Sequence, residues 1–210
     1  VSERTIRVGL LGCGTVGAAV VRTLHEHVDD IARRAGVRVV VTRVAVRDAG
    51  KDRGVPLPAD AFTTDAAAIV DDPEVDLIVE LLGGIEPPRS LIGRALAAGK
   101  PVVTANKELL AHHGGELFGA ASAAGLDLRF EAAVAGGVPL IRPLQESLAG
   151  ERVDRILGIV NGTTNYILTQ MSERGWGFDE ALAEAQRLGY AEADPTADVE
   201  GFDAAAKCAI

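Results

Sequence analysis

Aromatic side chains make up only 4% of the 210 residues, with one tryptophan and one methionine, so no large aromatic cluster can anchor a core. The interior has to come from Ala, Val, Leu and Gly packed between sheet and helices, the usual composition of α/β folds. Cysteine is nearly absent: Cys13 and Cys208 stand far apart and neither belongs to a C-x-x-C pair, so free thiols in a reducing cytoplasm are expected. No apolar run reaches membrane-span length, and the charged start Val1-Ser2-Glu3-Arg4-Thr5 leads directly into a strand, leaving no room for a signal peptide. Positive charge is short as well. The 21 Lys and Arg against 30 Asp and Glu give a net charge of -9, which repels phosphate backbones and anionic lipid, so neither nucleic acid nor membrane is an expected partner. The four histidines, His25, His27, His112 and His113, lack metal-ligand spacing, and Ser147 and Ser172 sit in no hydrolase motif.

What is present is repeated β/α alternation, supported by a hydrophobic content of 48% that allows a sizeable core. Ile6 to Leu11 reads as a buried strand, followed by a glycine turn, a long helix ending near Gly36 and a β-branched strand from Val37 to Val46. Gly50 to Pro58 is a loop. Asp65 caps a short helix through Val70, and strands are expected at Val75 to Leu82, Pro101 to Thr104 and Leu126 to Val134, with helices at Pro88 to Ala98 and Lys107 to Ala124. This order predicts a doubly wound parallel sheet of Rossmann type over residues 1–136. Beyond Gly136-Gly137 the pattern changes to a helix around Leu140 to Leu148, a strand from Val153 to Val160, a helix after Asn161-Gly162, an amphipathic helix from Phe178 to Leu188 and a last one from Asp203. A second domain, the start of an α+β fold, is therefore expected over 137–210.

Gly12-Cys13-Gly14-Thr15-Val16-Gly17 is a G-x-G-x-x-G between strand and helix, the context in which that motif binds a dinucleotide. Gly12 permits the tight turn, Gly14 lets the backbone approach the pyrophosphate, and Gly17 lets helix and strand pack closely while unpaired N–H groups face the anion. After the second strand, Arg47 would receive a 2′-phosphate whereas Asp48 would bond a free 2′-hydroxyl. The pair leaves NADP and NAD both open, with NADP favoured because Arg47 stands first and Arg43 and Lys51 add positive charge. Lys107, emerging from the carboxyl end of a strand, falls where ligands of such sheets bind.

Three further stretches carry a family resemblance: Val102-Val103-Thr104-Ala105-Asn106-Lys107, Asn161-Gly162-Thr163-Thr164-Asn165-Tyr166 and, most specifically, the run from Gly189-Tyr190 through Glu192, Asp194-Pro195, Asp198-Val199, Gly201 and Asp203 to Lys207. The last resembles the G-Y-x-E-x-D-P-x-x-D-V-x-G-x-D-x-x-x-K signature of homoserine dehydrogenases, enzymes that interconvert L-homoserine and L-aspartate 4-semialdehyde with NAD(P) on the route to threonine, methionine and isoleucine. The resemblance implies that Lys207 is the proton donor and acceptor and that Lys107 contacts both cofactor and substrate. It places Glu192, Asp203 and Thr163 at the substrate, and Thr15, Val16, Gly83 and Thr104 at the cofactor. Glu131, Val134, Gly136 and Val138 match a sodium-binding loop supplied mostly by backbone carbonyls. It also implies that 1–136 is the NAD(P)-binding domain and 137–210 the first part of a substrate-binding, catalytic and dimerisation domain, in a cytoplasmic homodimer. Family sequences continue beyond Ile210, so a fragment of a longer enzyme is expected, with a non-catalytic NAD(P)-binding fragment as the alternative.

Residue chemistry points the same way. Asp203 and Lys207 are four apart, so on a helix both project from one face. Hydride delivery to an aldehyde carbon creates an alkoxide, and an adjacent ammonium can supply the proton while stabilising the developing charge. Glu192 facing a substrate ammonium would select an amino acid over a simple alcohol. The carboxylate run from Glu192 to Asp203 lacks EF-hand order, and Asp194 and Asp198 are expected to shape the loop and cap helices.

Overall fold

The computed structural model describes residues 4–210; Val1, Ser2 and Glu3 of the charged N-terminal stretch lie outside the described residues. By internal contacts the chain divides into two compact units, one ending at Gly136 and one beginning at Gly137.

In the first unit, β1 (Thr5–Leu11), β2 (Arg38–Ala45), β3 (Phe62–Thr63), β4 (Leu77–Glu80), β5 (Val102–Thr104) and β6 (Leu128–Arg129) form one sheet in the order β3-β2-β1-β4-β5-β6. Every pairing is parallel. This is the Rossmann order, with its switch point between β1 and β4, where the carboxyl ends of the strands open a crevice. Five helices cover the faces: α1 (Thr15–Glu26), α2 (Val28–Ala35), α3 (Ala66–Asp71), α4 (Pro88–Ala97) and α5 (Lys107–Ala124). The strand period of two divides the core. Leu11 and Ala45 pack with Ile69, Ile92, Leu96, Leu109 and Leu117 of α3, α4 and α5, whereas Leu10 and Val44 pack with Ala18 and Val21 of α1. Leu10 and Leu11 are both fully buried, each stabilising the fold by about 1.5–3 kcal/mol.

Two ionic devices tie the sheet to its loops. Arg7 of β1 grips Asp76, just before β4, through Nε at 3.0 Å, Nη2 at 3.1 Å and its backbone N–H at 2.8 Å. These bonds hold the Asp76 carboxyl below its ordinary range. Buried Lys100 donates to the carbonyls of Val70 and Asp72 at the end of α3, at 2.6 and 2.5 Å, where the helix dipole favours a cation. Burial pushes the Lys100 ammonium down from its usual value.

Several expectations need correction. The long first helix breaks at His27 into α1 and α2. The strand expected from Leu126 to Val134 pairs only at Leu128 and Arg129, because β5 is three residues long and turns away after Thr104 to start α5; a 3-10 turn, Glu131–Ala133, follows instead. Arg43 does not add to a phosphate-binding charge, since it faces Asp72 at 3.5 Å and donates to the Asp60 carbonyl at 3.1 Å.

The second unit contains α6 (Gly162–Arg174), α7 (Phe178–Arg187), α8 (Thr196–Val199) and α9 (Phe202–Ala209) around a small core of Ile167, Ala181, Ala185 and Ala191. The expected helix near Leu140 to Leu148 forms over residues 141–147, its last part, Pro143–Ser147, in π-helical form. No strand forms among the described residues of this unit. Val153 to Val160 does not pair because no strand of the unit offers it a ladder, and its apolar side chains stay exposed, Leu157 at 84% and Ile159 at 78%.

Candidate active site

At the end of β1 the three glycines divide the work. Gly12 has φ +98, and a Cβ there would lie 2.6 Å from the Leu81 carbonyl oxygen. A Cβ on Gly17 would lie 2.2 Å from the Gly12 carbonyl oxygen, so helix and turn meet backbone to backbone. Gly14, the N-cap of α1, is exposed with nothing within 4 Å of its Cβ position. Thr15 and Val16 begin α1 exposed, and no side chain caps the helix, so its first amides present donors and the positive end of the dipole to the crevice. This cradle fits a pyrophosphate. Arg47 is exposed two residues past β2, while the Asp48 carboxylate accepts from the Gly50 amide at 2.9 Å.

The exits of β4 and β5 are bound to each other. Glu80, the last residue of β4, is fully buried and accepts from the Thr104 hydroxyl at 2.6 Å and from the amides of Leu82 and Gly83 at 2.7 and 3.4 Å. Thr104 accepts from the Asn106 amide at 3.0 Å; Asn106 donates to the Gly84 carbonyl at 2.7 Å and caps α5 by accepting from Leu109 at 3.1 Å. Gly83, exposed at φ +78, and half-buried Lys107, the first residue of α5, flank this network.

In the second unit, Lys207 of α9 donates to Asp203 Oδ2 at 2.6 Å and to the Val160 carbonyl at 2.5 Å. Asp203 is 6% exposed. Asn161 joins the cluster: its amide donates to Asp203 at 2.8 Å and Asp198 at 2.7 Å, while its oxygen caps α6 through the Thr164 amide and hydroxyl at 2.8 and 2.9 Å. Thr163 spends its hydroxyl on the Tyr190 carbonyl at 2.7 Å, so any ligand contact falls to its amide in the first turn of α6. A cavity of about 460 Å³ opens beside that turn, lined by Gly162, Thr163, Tyr166 and Tyr190 among others. Glu192 stands exposed in the loop after α7, with its side chain bonded to none of these groups. Of the loop expected to bind sodium, Val134 is buried, Gly136 is exposed, Val138 is 61% exposed, Glu131 opens the 3-10 turn, and the chain bends at Ala135, φ 53.

Three contributors escaped sequence reasoning. Glu80 was signalled by an acid ending the apolar run Leu77-Ile78-Val79 before Gly83-Gly84. Asn161 had the signature of an N-cap before Gly162-Thr163 but nothing that revealed its carboxylate partners. Asp198, expected to serve only loop shape and capping, bonds to Asn161 beside Asp203, whereas Asp194 does fix the turn through Thr196.

Comparison with known proteins covers both units. Residues 12–131 match the family described as homoserine dehydrogenase, NAD binding domain, and residues 139–210 match homoserine dehydrogenase. The chain is 49% identical to a homoserine dehydrogenase of Bacillus subtilis over 99% of its own length and 48% of that protein. It is 53% identical to one from Corynebacterium glutamicum over 98% of its length and 46% of that protein. The crystal structure of a homoserine dehydrogenase from Thiobacillus denitrificans superimposes with a TM-score of 0.88 at 51% identity, covering 98% of this chain and 47% of that one. A hyperthermophilic archaeal homoserine dehydrogenase solved in complex with NADPH gives 0.81 at 29% identity, over 98% and 68%. The chain thus spans about half the length of the curated relatives it matches. With both of its units matched in the family's order, the chain belongs to the homoserine dehydrogenase family.

Proposed function

We propose that this chain carries the NAD(P)-binding domain, residues 1–136, and the first part of the substrate-binding, catalytic and dimerisation domain, residues 137–210, of an enzyme that interconverts L-homoserine and L-aspartate 4-semialdehyde. The observation that carries the reading is the Asp203–Lys207 pair, set on one face of α9 within the most specific motif of the chain.

The dinucleotide would lie over Gly12, Gly14, Thr15, Val16 and Gly17, with Gly83, Thr104 and Lys107 at its nicotinamide half. Arg47 supports NADP, since it is exposed where a 2′-phosphate would come while Asp48 is turned into its own loop. Bound there, the dinucleotide would supply hydride chemistry at the substrate carbon.

Lys207 has three N–H donors and uses two on Asp203 and Val160, which fixes its direction and leaves the third for the substrate oxygen. In the reducing direction that proton passes to the oxygen as the carbonyl becomes an alcohol; in the oxidising direction the neutral amine takes it back. Asp203 aims the ammonium and balances its charge, and Asn161 keeps Asp203 and Asp198 side by side by donating to both. Glu192, exposed and bonded to none of the other site residues, would meet a substrate ammonium and so select an amino acid, and the Thr163 amide suits the substrate carboxylate. By the resemblance, carbonyls of the loop carrying Glu131, Val134, Gly136 and Val138 would hold a sodium ion, and the complete enzyme would be a cytoplasmic homodimer. Among the described residues no helix is long and apolar enough to cross a membrane.

The test follows nicotinamide absorbance with L-homoserine, using NADP and NAD in parallel, on this chain and on the complete gene product. Homoserine-dependent reduction in the complete product is the expected result; binding of the dinucleotide without turnover in both would leave a non-catalytic NAD(P)-binding protein.

A further inference from the structure

A fully buried carboxylate without a cation costs several kcal/mol unless hydrogen bonds compensate, and a strand such as β4 would be satisfied by a fourth aliphatic residue. Glu80 nonetheless ends β4 at 0% exposure, and among the described residues no cation pairs with it. Its bonds go to two places only. One oxygen takes the amides of Leu82 and Gly83, in the loop leaving β4; the other takes the hydroxyl of Thr104, at the end of β5. Thr104 then accepts from the Asn106 amide, and Asn106 returns a bond to the Gly84 carbonyl, so the two exit loops are closed into one ring of hydrogen bonds. The same ring caps α5 and sets where Lys107 begins.

We propose that Glu80 is a positioning residue whose carboxylate makes the exit loops of β4 and β5 a single rigid support for the nicotinamide half of the dinucleotide. This rests on the cofactor reading given above, though not on the identity of the amino acid substrate. The hydrogen bonds of the ring do not include the first amides of α1, so the adenosine and pyrophosphate end depends on Glu80 only through the packing of Gly12 against Leu81 and Leu82. Stiffening ahead of binding lowers the ordering cost of the half that carries the chemistry.

The experiment compares NADPH with 2′-phospho-ADP-ribose, which lacks the nicotinamide, by calorimetry on the complete gene product and its Glu80→Gln variant. Glutamine keeps the shape but presents one donor where the carboxylate had acceptors, opposite the Thr104 hydroxyl. NADPH affinity is expected to fall about ten- to a hundred-fold while 2′-phospho-ADP-ribose changes by less than about twofold. Glu80→Asp keeps the charge but withdraws the carboxylate from Thr104 and is expected to behave alike, which covers the case in which Glu80→Gln does not fold. Equal weakening of both ligands, or NADPH affinity unchanged in either folded variant, would overturn the proposal. A wild type that binds NADPH but does not oxidise homoserine would refute the activity and leave Glu80 standing; one that binds neither ligand would remove both.

Discussion

Replacing Gly14 and Gly17 separately by alanine should separate binding from folding at the first βα turn. A Cβ on Gly17 would be placed 2.2 Å from a backbone oxygen, that of Gly12, which cannot swing aside as a side chain could. Overpacking of this kind costs about 1–3 kcal/mol or more, and the better helix propensity of alanine returns only about 1 kcal/mol. Because the clash is with backbone, the upper end of that range applies, and a net loss of about 2 kcal/mol is expected, or a thermal midpoint lower by about 4–8 °C for a chain of this size. At Gly14 the arithmetic reverses. Its φ of -81 is open to alanine and no atom lies within 4 Å of the new Cβ. The weaker N-cap is offset by a less flexible unfolded chain, so stability should move by less than about 1 kcal/mol. The new methyl, however, stands over the amides that would meet the pyrophosphate, and losing charge-assisted bonds there should weaken NADPH about ten- to a hundred-fold. Calorimetric melting and fluorescence titration measure both quantities. Gly14→Ala with unaltered NADPH affinity, or Gly17→Ala with an unaltered midpoint, would refute the division of roles.

Asn161→Asp preserves the oxygen that caps α6 but sets a third carboxylate against Asp198 and Asp203. Crowded like charges raise carboxyl pKa values, so turnover should drop at least about tenfold and the acid limb of the rate profile should move to higher pH; an unmoved limb would deny Asn161 its bridging role. Asp76→Asn tests the clamp on Arg7. Because hydrogen bonds from Arg7 lower the folded Asp76 pKa below 3.8, its contribution is present above that value and is lost as pH falls through the folded pKa. In urea titrations the deficit of the variant relative to wild type should therefore be largest near neutrality and shrink below 3.8; a constant deficit would contradict the assignment. Lys100→Met removes the donor to the last carbonyls of α3 and should cost about 1–3 kcal/mol, read from the shift in urea midpoint; no shift would show that water replaces it.

Much of the first unit was legible because its signals are local. Adjacent Leu10 and Leu11 announce a strand buried on both faces, and the glycine spacing fixes what must follow it. Asp65 before a short apolar run marks α3, and the structure shows it accepting from the Ala68 amide at 3.0 Å. The errors arose where an outcome depends on a distant partner. Leu126 to Val134 has the residues of a strand, but a strand can be no longer than the ladder its neighbour offers, and β5 stops at Thr104. Val153 to Val160 is rich in aliphatic and β-branched residues, as a strand should be, and has no strand neighbour within its unit. Arg43 reads as free positive charge until the fold turns it toward Asp72. At the site, the Asp203–Lys207 pair was visible as helical spacing, whereas the bonds from Asn161 span sequence separations of 37 and 42 residues and could not be read from any window.

The central claim, that Lys207 moves the proton at the substrate oxygen, is tested most directly by Lys207→Ala in the complete gene product, with turnover on L-homoserine and NADPH dissociation constant measured on the same sample. The account predicts loss of turnover by several orders of magnitude with NADPH affinity within about twofold of wild type. Near-normal turnover in that variant would remove Lys207 from the chemistry and with it the mechanism proposed for this chain.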